Sequence, residues 1–335
     1  MKKNKVGIIG CGMIFPRHYE SIQLNNDFSL ISICDIDVKK LASISNEHSV
    51  STYVNYKNML KYEDLNFVVI ATPNAQHFSQ ASYCLQKGCD VLIEKPAVLD
   101  PSQLKILQSI ADKNNVSVYS VLQVRLNPTV QKFKTLLDQS LLGDIRGVSL
   151  IQRWQRPHEY FSGWRGDPLI GGGTLHECGV HYLDILCYLF GKPEVVSSKF
   201  YNTKHKNIDI EDTLYTLLDY KNFGATAEIT IASEPNNLEC SISVMTSLGY
   251  IKLGGKALDK IVEIKFLDKQ LEEKCVNMFS SIENINKPNS YVNYKGSCPN
   301  HPQLYSQIEK FKLSKTHSVI SLIDEIYQKC DKQYY

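Results

Sequence analysis

The sequence predicts an α/β protein of two domains: a doubly wound parallel sheet, followed by an α/β domain with an open, mostly antiparallel sheet. Three observations favour this class. Short apolar runs alternate with helical segments over residues 1–121, which is typical of a parallel sheet with crossover helices. Closely spaced strand-like runs fill much of residues 122–335. The length of 335 residues suits two hydrophobic cores better than one.

The first domain is expected to alternate strands and helices. Pro101 suits the first turn of a helix, where its missing N–H has no partner to lose, and Gly88 suits a helix end. The predicted strands are residues 5–10, 29–34, a short one near 53, 67–71, 91–93 and 116–121. The predicted helices follow residue 10 to about 24, begin at 38, cover 56–62 and 76–87, and begin again at 101.

The second domain is expected to place one apolar helix beside a group of strands. A helix near 129–139 and a strand over 145–154 precede a polar, aromatic and Gly-rich loop over 155–173. The apolar helix covers 175–190 and ends at Gly191. Further strands are predicted at 195–201, 213–220, 224–232, 239–246, 250–253 and 261–267. Helices within 302–330 are expected to pack back on the first domain.

Composition excludes several classes of partner. Hydrophobic residues make up 43% and charged residues 21%, and 37 basic against 35 acidic residues leave a net charge of +2. That balance predicts no nucleic-acid surface. No apolar run reaches the length of a membrane span or a signal peptide, so we expect a cytoplasmic protein with no membrane partner. The ten cysteines include no C-x-x-C pair and no close Cys/His set, so no metal is expected. Five of them lie in apolar stretches and are expected to be reduced core residues: Cys34, Cys84, Cys89, Cys178 and Cys187.

A Gly-x-Gly turn indicates a dinucleotide site. Gly10 and Gly12 follow the first predicted strand and open a helix, which permits a tight turn and close approach to a pyrophosphate. The usual third glycine is Phe15. Asp35 ends the second strand, where its carboxylate can accept from both ribose hydroxyls and would repel a 2′-phosphate. We therefore expect NAD rather than NADP. The alternative is a structural turn that binds no ligand.

Four motifs together resemble the Gfo/Idh/MocA family of oxidoreductases, which includes glucose–fructose oxidoreductase and inositol 2-dehydrogenase. They are Gly10-x-Gly12 with His18, Ala71-Thr72-Pro73-Asn74-x-x-His77, Glu94-Lys95-Pro96, and Gly171-Gly172-Gly173-x-Leu175-x-Glu177-x-Gly179-x-His181-x-x-Asp184. The resemblance implies a nicotinamide-binding Rossmann domain (1–121), a domain for substrate binding and oligomerisation (122–335), and homodimers or homotetramers. We assign to the cofactor Gly10, Gly12, Met13, Ile14, Asp35, Thr72, Pro73, Asn74, His77, Glu94, Lys95 and Gln123.

The resemblance also implies that Lys95 and His181 react. Oxidation of an alcohol removes a hydroxyl proton while hydride leaves for the nicotinamide. Lys95 can hydrogen-bond the reacting oxygen and stabilise its charge, and His181 can serve as base or acid. Glu177 lies four residues before His181, on the same face of the predicted helix, where it can orient the imidazole or bind a hydroxyl. The family commonly has Asp or Asn at this position. The alternatives are a solvated lysine and a core histidine.

A narrower resemblance concerns the substrate. The segments 123–128 and 164–167, with the pairs Gly296-Ser297 and Asn300-His301, look like the branch of 3-dehydrogenases acting on UDP-N-acetylglucosamine(uronate). A nucleotide-linked amino sugar is therefore the expected substrate. Its binding residues are expected to be Lys95, Arg125, Arg153, Arg156, Tyr160, Trp164, Arg165, Glu177 and His181. The alternatives are an ordinary loop with solvated arginines, a dehydrogenase of a free cyclic polyol or aldose, and a non-catalytic NAD-binding regulator.

Overall fold

The computed structural model describes residues 3–280, 289–291, 294–296 and 298–330. The chain divides into two compact units. The first unit contains Met1–Leu122, Ser290–Lys295 and Pro299–His317. The second contains Gln123–Asn289, Gly296–Cys298 and Ser318–Tyr335. The chain therefore returns to the first unit after it has formed most of the second.

The first unit is built on a parallel sheet of six strands in the order β3-β2-β1-β4-β5-β6, which confirms the predicted doubly wound fold. The order reverses between β1 and β4, and ligands of such sheets bind at the carboxyl ends of the strands near this reversal. The central strand β4 is buried at every position. The strands are β1 (Asn4–Ile9), β2 (Phe28–Cys34), β3 (Ser51–Tyr53), β4 (Phe67–Ile70), β5 (Asp90–Ile93) and β6 (Val118–Ser120).

The second unit contains a mixed sheet of seven strands in the order β13-β12-β11-β7-β10-β9-β8. Only its β7–β10 pair is parallel, so the expectation of an open, mostly antiparallel sheet is confirmed. The strands are β7 (Ile145–Arg153), β8 (Glu194–Tyr201), β9 (Thr213–Asp219), β10 (Gly224–Thr230), β11 (Glu239–Thr246), β12 (Gly249–Gly254) and β13 (Lys260–Phe266). A separate two-stranded sheet pairs β14 (Asn289–Tyr291) with β15 (Tyr294–Gly296).

Two helices of the first unit begin at a side-chain cap. Asp37 accepts hydrogen bonds from the N–H groups of Lys39 and Lys40 at the start of α2, and Asn55 accepts from that of Lys57 at the start of α3. The helices are α1 (Phe15–Gln23), α2 (Val38–His48), α3 (Tyr56–Tyr62), α4 (His77–Gln86), α5 (Ser102–Lys113), α6 (Pro128–Asp138), α7 (Val180–Phe190), α8 (Lys269–Ser280), α9 (His301–Ser306), α10 (Leu313–Thr316) and α11 (Ser318–Gln328). Among the described residues, no helix combines the length and the apolar character that crossing a membrane requires.

The two faces of the second sheet differ because side chains alternate along each strand. Val148 and Leu150 of β7 are buried on the face against which α7 packs. The opposite face presents Tyr215 and Leu217 of β9 and Met245 of β11, whose exposed fractions are 49%, 44% and 53%. This second face is called the open face below.

Several elements differ from the sequence prediction, among them the strands β14 and β15 and two helical segments. The predicted continuous helix over 175–190 begins with a π-helical turn, Leu175–Gly179, before α7. A π-turn bonds residues five apart rather than four, so the spacing of Glu177 and His181 no longer implies that they lie one above the other. Helix α8 was not predicted, although its buried residues Cys275 and Phe279 are four apart, a helical spacing.

Candidate active site

The turn after β1 touches the end of β4. Gly10 has φ +97°, and a Cβ at this position would lie 2.5 Å from the carbonyl oxygen of Ala71 and 2.9 Å from the nitrogen of Thr72. Only glycine permits this approach. At Gly12, by contrast, none of the described residues has a heavy atom within 4 Å of an added Cβ. The space beside Gly12 therefore fits the close passage of a pyrophosphate.

Asp35 is fixed beside this turn. Its Oδ2 accepts from the Cys11 N–H at 2.8 Å, and its Oδ1 accepts from the Asp37 N–H at 2.9 Å. Lys40 Nζ lies 3.4 Å from Oδ2. The carboxylate thus lies at the strand end where a ribose is expected. Sequence reasoning missed Lys40, although it lies one turn into the helix that follows Asp35.

His77 joins the ends of β4 and β5. Its Nδ1 lies 2.8 Å from the carbonyl oxygen of Pro96, and its Nε2 lies 2.9 Å from that of Thr72. The ring is fully buried. We therefore correct its predicted role: the imidazole links the two loops that carry Thr72 and Lys95, and its ring nitrogens face protein oxygens rather than a cofactor.

Lys95 lies half-buried directly after β5, next to a buried carboxylate. The Lys95 N–H donates to Glu94 Oε2 at 3.1 Å, and Glu94 Oε1 lies 3.0 Å from His18 Nε2. The predicted cofactor role of Glu94 is therefore corrected to an internal one. Of the other residues assigned to the cofactor, Met13 is 48% exposed, Ile14, Thr72 and Pro73 are half-buried, Asn74 is buried, and Gln123 is buried within the second unit.

In the second unit, Glu177 lies in the π-turn and His181 in the first turn of α7. His181 is half-buried. Glu177 is buried, and its Oε1 accepts from the Tyr160 hydroxyl at 2.9 Å and from Arg165 Nε at 3.0 Å. Burial and the Glu177 charge raise the pKa of Tyr160, so the hydroxyl keeps the proton that it donates. These contacts hold the carboxylate in the predicted substrate loop.

Four of the predicted substrate residues form a stack of alternating guanidinium groups and rings. The Arg165 Cζ lies 4.5 Å from the ring centre of Trp164 and 4.9 Å from that of Tyr160. The Arg156 Cζ lies 5.4 Å from the Tyr160 ring and 4.5 Å from the Trp154 ring. Each ring face favours the adjacent cation. The stack brings two positive charges and aromatic surface together, a combination that suits a diphosphate with an attached base or sugar.

The structure corrects two predicted substrate arginines. Arg153 binds both carboxylate oxygens of Glu228, at 2.5 and 2.8 Å, on the open face of the sheet, away from α7 and His181. Arg153 and Arg156 are only three residues apart, and the sequence does not show on which face of the sheet each side chain lies. Arg125 is buried and binds both oxygens of Asp184, at 2.7 and 2.5 Å. Both guanidinium groups therefore hold protein carboxylates.

Sequence reasoning missed Glu211, which supports the π-turn. Its Oε1 accepts from the Thr174 N–H at 2.9 Å and from the Tyr327 hydroxyl at 2.6 Å. Gly173 has φ +85°, and a Cβ there would lie 2.5 Å from the Tyr327 oxygen. The side chains of Glu211 and Tyr327 thus leave no room for a Cβ at position 173, so this residue of the glycine run must be glycine. The only signal in the sequence is an acidic residue at the start of an apolar strand, which is weak.

The geometry of the first unit agrees with family comparison. The family model described as "Oxidoreductase family, NAD-binding Rossmann fold" matches residues 4–122, and the model of the GFO/IDH/MocA C-terminal domain matches residues 130–252. The chain belongs to the Gfo/Idh/MocA oxidoreductase family. It is an oxidoreductase with the NAD-binding Rossmann domain of that family, and the resemblance stated from its motifs is confirmed.

Three similar proteins each match about two thirds or more of the chain. The oxidoreductase P35 of Formosa agariphila is 28% identical over 72% of this chain and 80% of its own length. The D-glucoside 3-dehydrogenase of Escherichia coli is 24% identical over 66% of this chain and 68% of its own. The WlbA dehydrogenase of Bordetella pertussis, solved with NADH and UDP-GlcNAcA, is 25% identical with a TM-score of 0.85, and the match covers 98% of this chain and 95% of that one.

The Glu211 contacts predict a pH-dependent stability. Burial raises the pKa of Glu211 from its ordinary 4.5 to about 7, although the Tyr327 hydroxyl and the N–H groups of Leu175 and Thr174 lower it. Because the folded-state pKa lies above the unfolded one, this stabilisation is complete below about pH 4.5 and is lost as the pH rises through about 7. Relative to Glu211→Gln, the wild type should lose on the order of 3 kcal/mol of unfolding free energy over that window.

Urea unfolding of both proteins between pH 5 and pH 8 measures this difference. The exposed Glu159, changed to Gln, is the control and should leave the pH profile unchanged. Parallel profiles for wild type and Glu211→Gln would show that Glu211 does not titrate in this range.

Proposed function

We propose that this protein is an NAD-dependent dehydrogenase, or a ketoreductase in the reverse direction, that transfers hydride between nicotinamide and the 3-position carbinol of a nucleotide-linked amino sugar. The observation that carries the proposal is the cation–aromatic stack of Arg156, Tyr160 and Arg165 beside Glu177. Similarity to WlbA structures from Bordetella pertussis and Chromobacterium violaceum, both solved with NADH and UDP-GlcNAcA, supports the substrate class. The D-glucoside 3-dehydrogenase of Escherichia coli supports oxidation of a sugar ring.

Nicotinamide supplies the hydride acceptor when it is bound. The residues that would hold the cofactor are the Gly10–Gly12 turn, through its N–H groups, and Asp35, through its carboxylate. In the proposed reaction the Lys95 ammonium hydrogen-bonds the carbinol oxygen and stabilises the charge that develops on it. His181 accepts the hydroxyl proton, and returns it in the reductive direction. Glu177, held by Tyr160 and Arg165, binds a sugar hydroxyl.

The stack also separates the candidate substrates. A diphosphate carries negative charge that Arg156 can neutralise, whereas the charge of Arg165 is already offset by Glu177, and a base or sugar can lie against Tyr160 or Trp164. A free cyclic polyol or aldose has no charge for Arg156 to bind, so the polyol or aldose alternative does not explain this guanidinium group. A non-catalytic NAD-binding regulator would need neither Lys95 nor His181.

The open face of the second sheet supports self-association. It carries the exposed apolar side chains of Tyr215 and Leu217 on β9 and of Met245 on β11, and exposed apolar side chains on one face are typical of a protein–protein contact. We infer that a second copy of the chain covers this face, in a homodimer or within a homotetramer.

Removal of either reacting group should abolish turnover. Lys95→Ala and His181→Ala should each lower kcat by about 10²- to 10⁴-fold, because each loses a group that handles charge or a proton in the transition state. The affinity of His181→Ala for NADH should change little. Nicotinamide absorbance, followed with UDP-N-acetylglucosaminuronate, UDP-N-acetylglucosamine, inositol and glucose, measures the rates. The exposed Lys105, changed to Ala, is the control. Turnover by both site variants at the wild-type rate would sink the assignment.

The stack predicts a selective binding defect. Arg156→Leu should raise KM for a nucleotide sugar by about 10- to 100-fold with little change in kcat, because it removes a cation from the diphosphate without touching the reacting atoms. Arg146 lies exposed on β7, and Arg146→Leu should behave as wild type. Equal activity of the wild type and Arg156→Leu on free inositol or glucose, with no activity on nucleotide sugars, would favour the polyol or aldose alternative.

A charge on the open face should prevent self-association. Leu217→Asp places a carboxylate at a position that is 44% exposed in the single chain, where a partner would bury it at high cost. Light scattering coupled to size exclusion should show a smaller species than the wild type. Leu24→Asp, at a 69% exposed position in the first unit, is the control. An unchanged mass for Leu217→Asp would place the contact elsewhere.

A further inference from the structure

Four buried polar side chains meet behind the Lys95 loop. Glu94 follows β5, His18 lies on α1, and His301 and Tyr305 lie on α9; their exposed fractions are 7%, 0%, 2% and 2%. The Tyr305 hydroxyl lies 2.9 Å from His18 Nδ1, and His18 Nε2 lies 3.0 Å from Glu94 Oε1. The second oxygen of Glu94 accepts from the Lys95 N–H. A continuous series of hydrogen bonds therefore connects residues 299–317, called the C-terminal segment below, to the backbone of Lys95.

The partners fix the direction of each hydrogen bond. A carboxylate only accepts, so His18 Nε2–H donates to Glu94, and His18 Nδ1 then accepts from the Tyr305 hydroxyl in the neutral ring. Burial raises the pKa of Tyr305, which keeps its proton in place. Burial alone would also raise the pKa of Glu94, but the contacts of His18 and His301 outweigh it and hold that pKa well below its usual range. Glu94 is thus an ionised carboxylate with a defined orientation.

We propose that His18, Tyr305 and His301 are positioning residues, which hold Glu94 so that its second oxygen fixes the backbone of Lys95. The inference rests on the reacting role of Lys95 in the proposed function. A lysine that must meet a carbinol oxygen at hydrogen-bond distance depends on where its backbone is held, and a displacement of about 1 Å can cost 10²-fold in rate. None of the three side chains touches the reacting atoms in this proposal.

The C-terminal segment supplies two of these positioning residues from one helix face. His301 and Tyr305 are four residues apart on α9, which places them on the same side, and α9 packs against α1. His301 Nε2 lies 3.5 Å from Glu94 Oε1, so His301 approaches the oxygen that His18 already holds. Residues 299–317 therefore complete the environment of a loop about 200 positions earlier in the chain.

The same side chains could instead hold a cation. The donor atoms of His18, Glu94 and His301 lie within 4.8 Å of one another, and two histidines with a carboxylate are zinc ligands. We favour the hydrogen bonds, because the Tyr305 hydroxyl and the Lys95 N–H extend them in both directions. Metal analysis of the purified protein decides between the two.

A matched pair of Tyr→Phe variants tests the proposal. Tyr305→Phe removes the hydroxyl that reaches His18. Tyr119→Phe also removes a hydroxyl that links the segment 299–317 to the rest of the first unit, because the Tyr119 hydroxyl donates to Glu309 Oε1 at 2.8 Å. This hydroxyl does not reach Glu94. Hydrogen exchange of the peptide around Lys95 and the steady-state constants are measured for both. Tyr305→Phe should speed exchange at Lys95 and lower kcat by about 3- to 10-fold with KM unchanged, the loss expected for one hydrogen bond. Tyr119→Phe should change neither.

Glu94 gives a second, graded comparison. Glu94→Gln keeps an oxygen for the Lys95 N–H and should retain more kcat than Glu94→Ala, whereas a merely structural role would show the difference in unfolding free energy alone. Equal exchange and equal kcat for Tyr305→Phe and Tyr119→Phe would overturn the proposal, as would a stoichiometric metal whose chelation lowers activity. If the wild type turns over no sugar but Tyr305→Phe alone speeds exchange at Lys95, the positioning is upheld and the proposed function fails.

Discussion

The first unit depends on the backbone contact between Gly10 and the end of β4. No side chain larger than hydrogen fits between the turn and the Ala71 carbonyl, so the two strand ends at the reversal of the sheet lie directly against each other. Asp35 then binds the same turn through the Cys11 N–H, and His77 links the β4 loop to that of Lys95. Each ligand-facing loop is thus fixed to a neighbour by a main-chain atom, which limits its motion without a ligand.

The second unit positions its polar groups by a different rule. Alternation along β7 sends Trp154 toward α7, where its ring meets Tyr182, and sends Arg153 to the open face. The cation–aromatic stack follows from the loop after this strand, and Glu211 with Tyr327 fixes the π-turn that carries Glu177. Three arginines of this unit are paired with carboxylates: Arg165 faces Glu177, Arg125 faces Asp184 and Arg153 faces Glu228.

Local patterns carried most of the fold. The apolar runs of β1 and β4 and the Gly-x-Gly turn are short-range signals, and each predicted its element correctly. The errors have a common origin in contacts distant in sequence. The carboxylate partners of Arg125 and Arg153 lie 59 and 75 residues away along the chain. The sequence does not reveal such distant partners, so both arginines were assigned to the substrate. The π-turn was missed because Glu211, 37 residues beyond Thr174, binds its start. His301 lay in a motif pair, but only the structure joins it to Glu94; Ser297 of the neighbouring pair lies outside the described residues.

The return of residues 299–317 to the first unit has a consequence for synthesis on the ribosome. The strands of the parallel sheet emerge early, yet His301 and Tyr305, which meet Glu94 and His18, are made about 200 residues after Glu94. Until then Glu94 on the nascent sheet has His18 beside it but lacks the imidazole of His301, and His18 lacks the phenol of Tyr305. The Lys95 loop therefore reaches its final form only after the strands of the second unit have been synthesised, which ties competence of the nucleotide-binding half to synthesis of the residues that follow the second sheet.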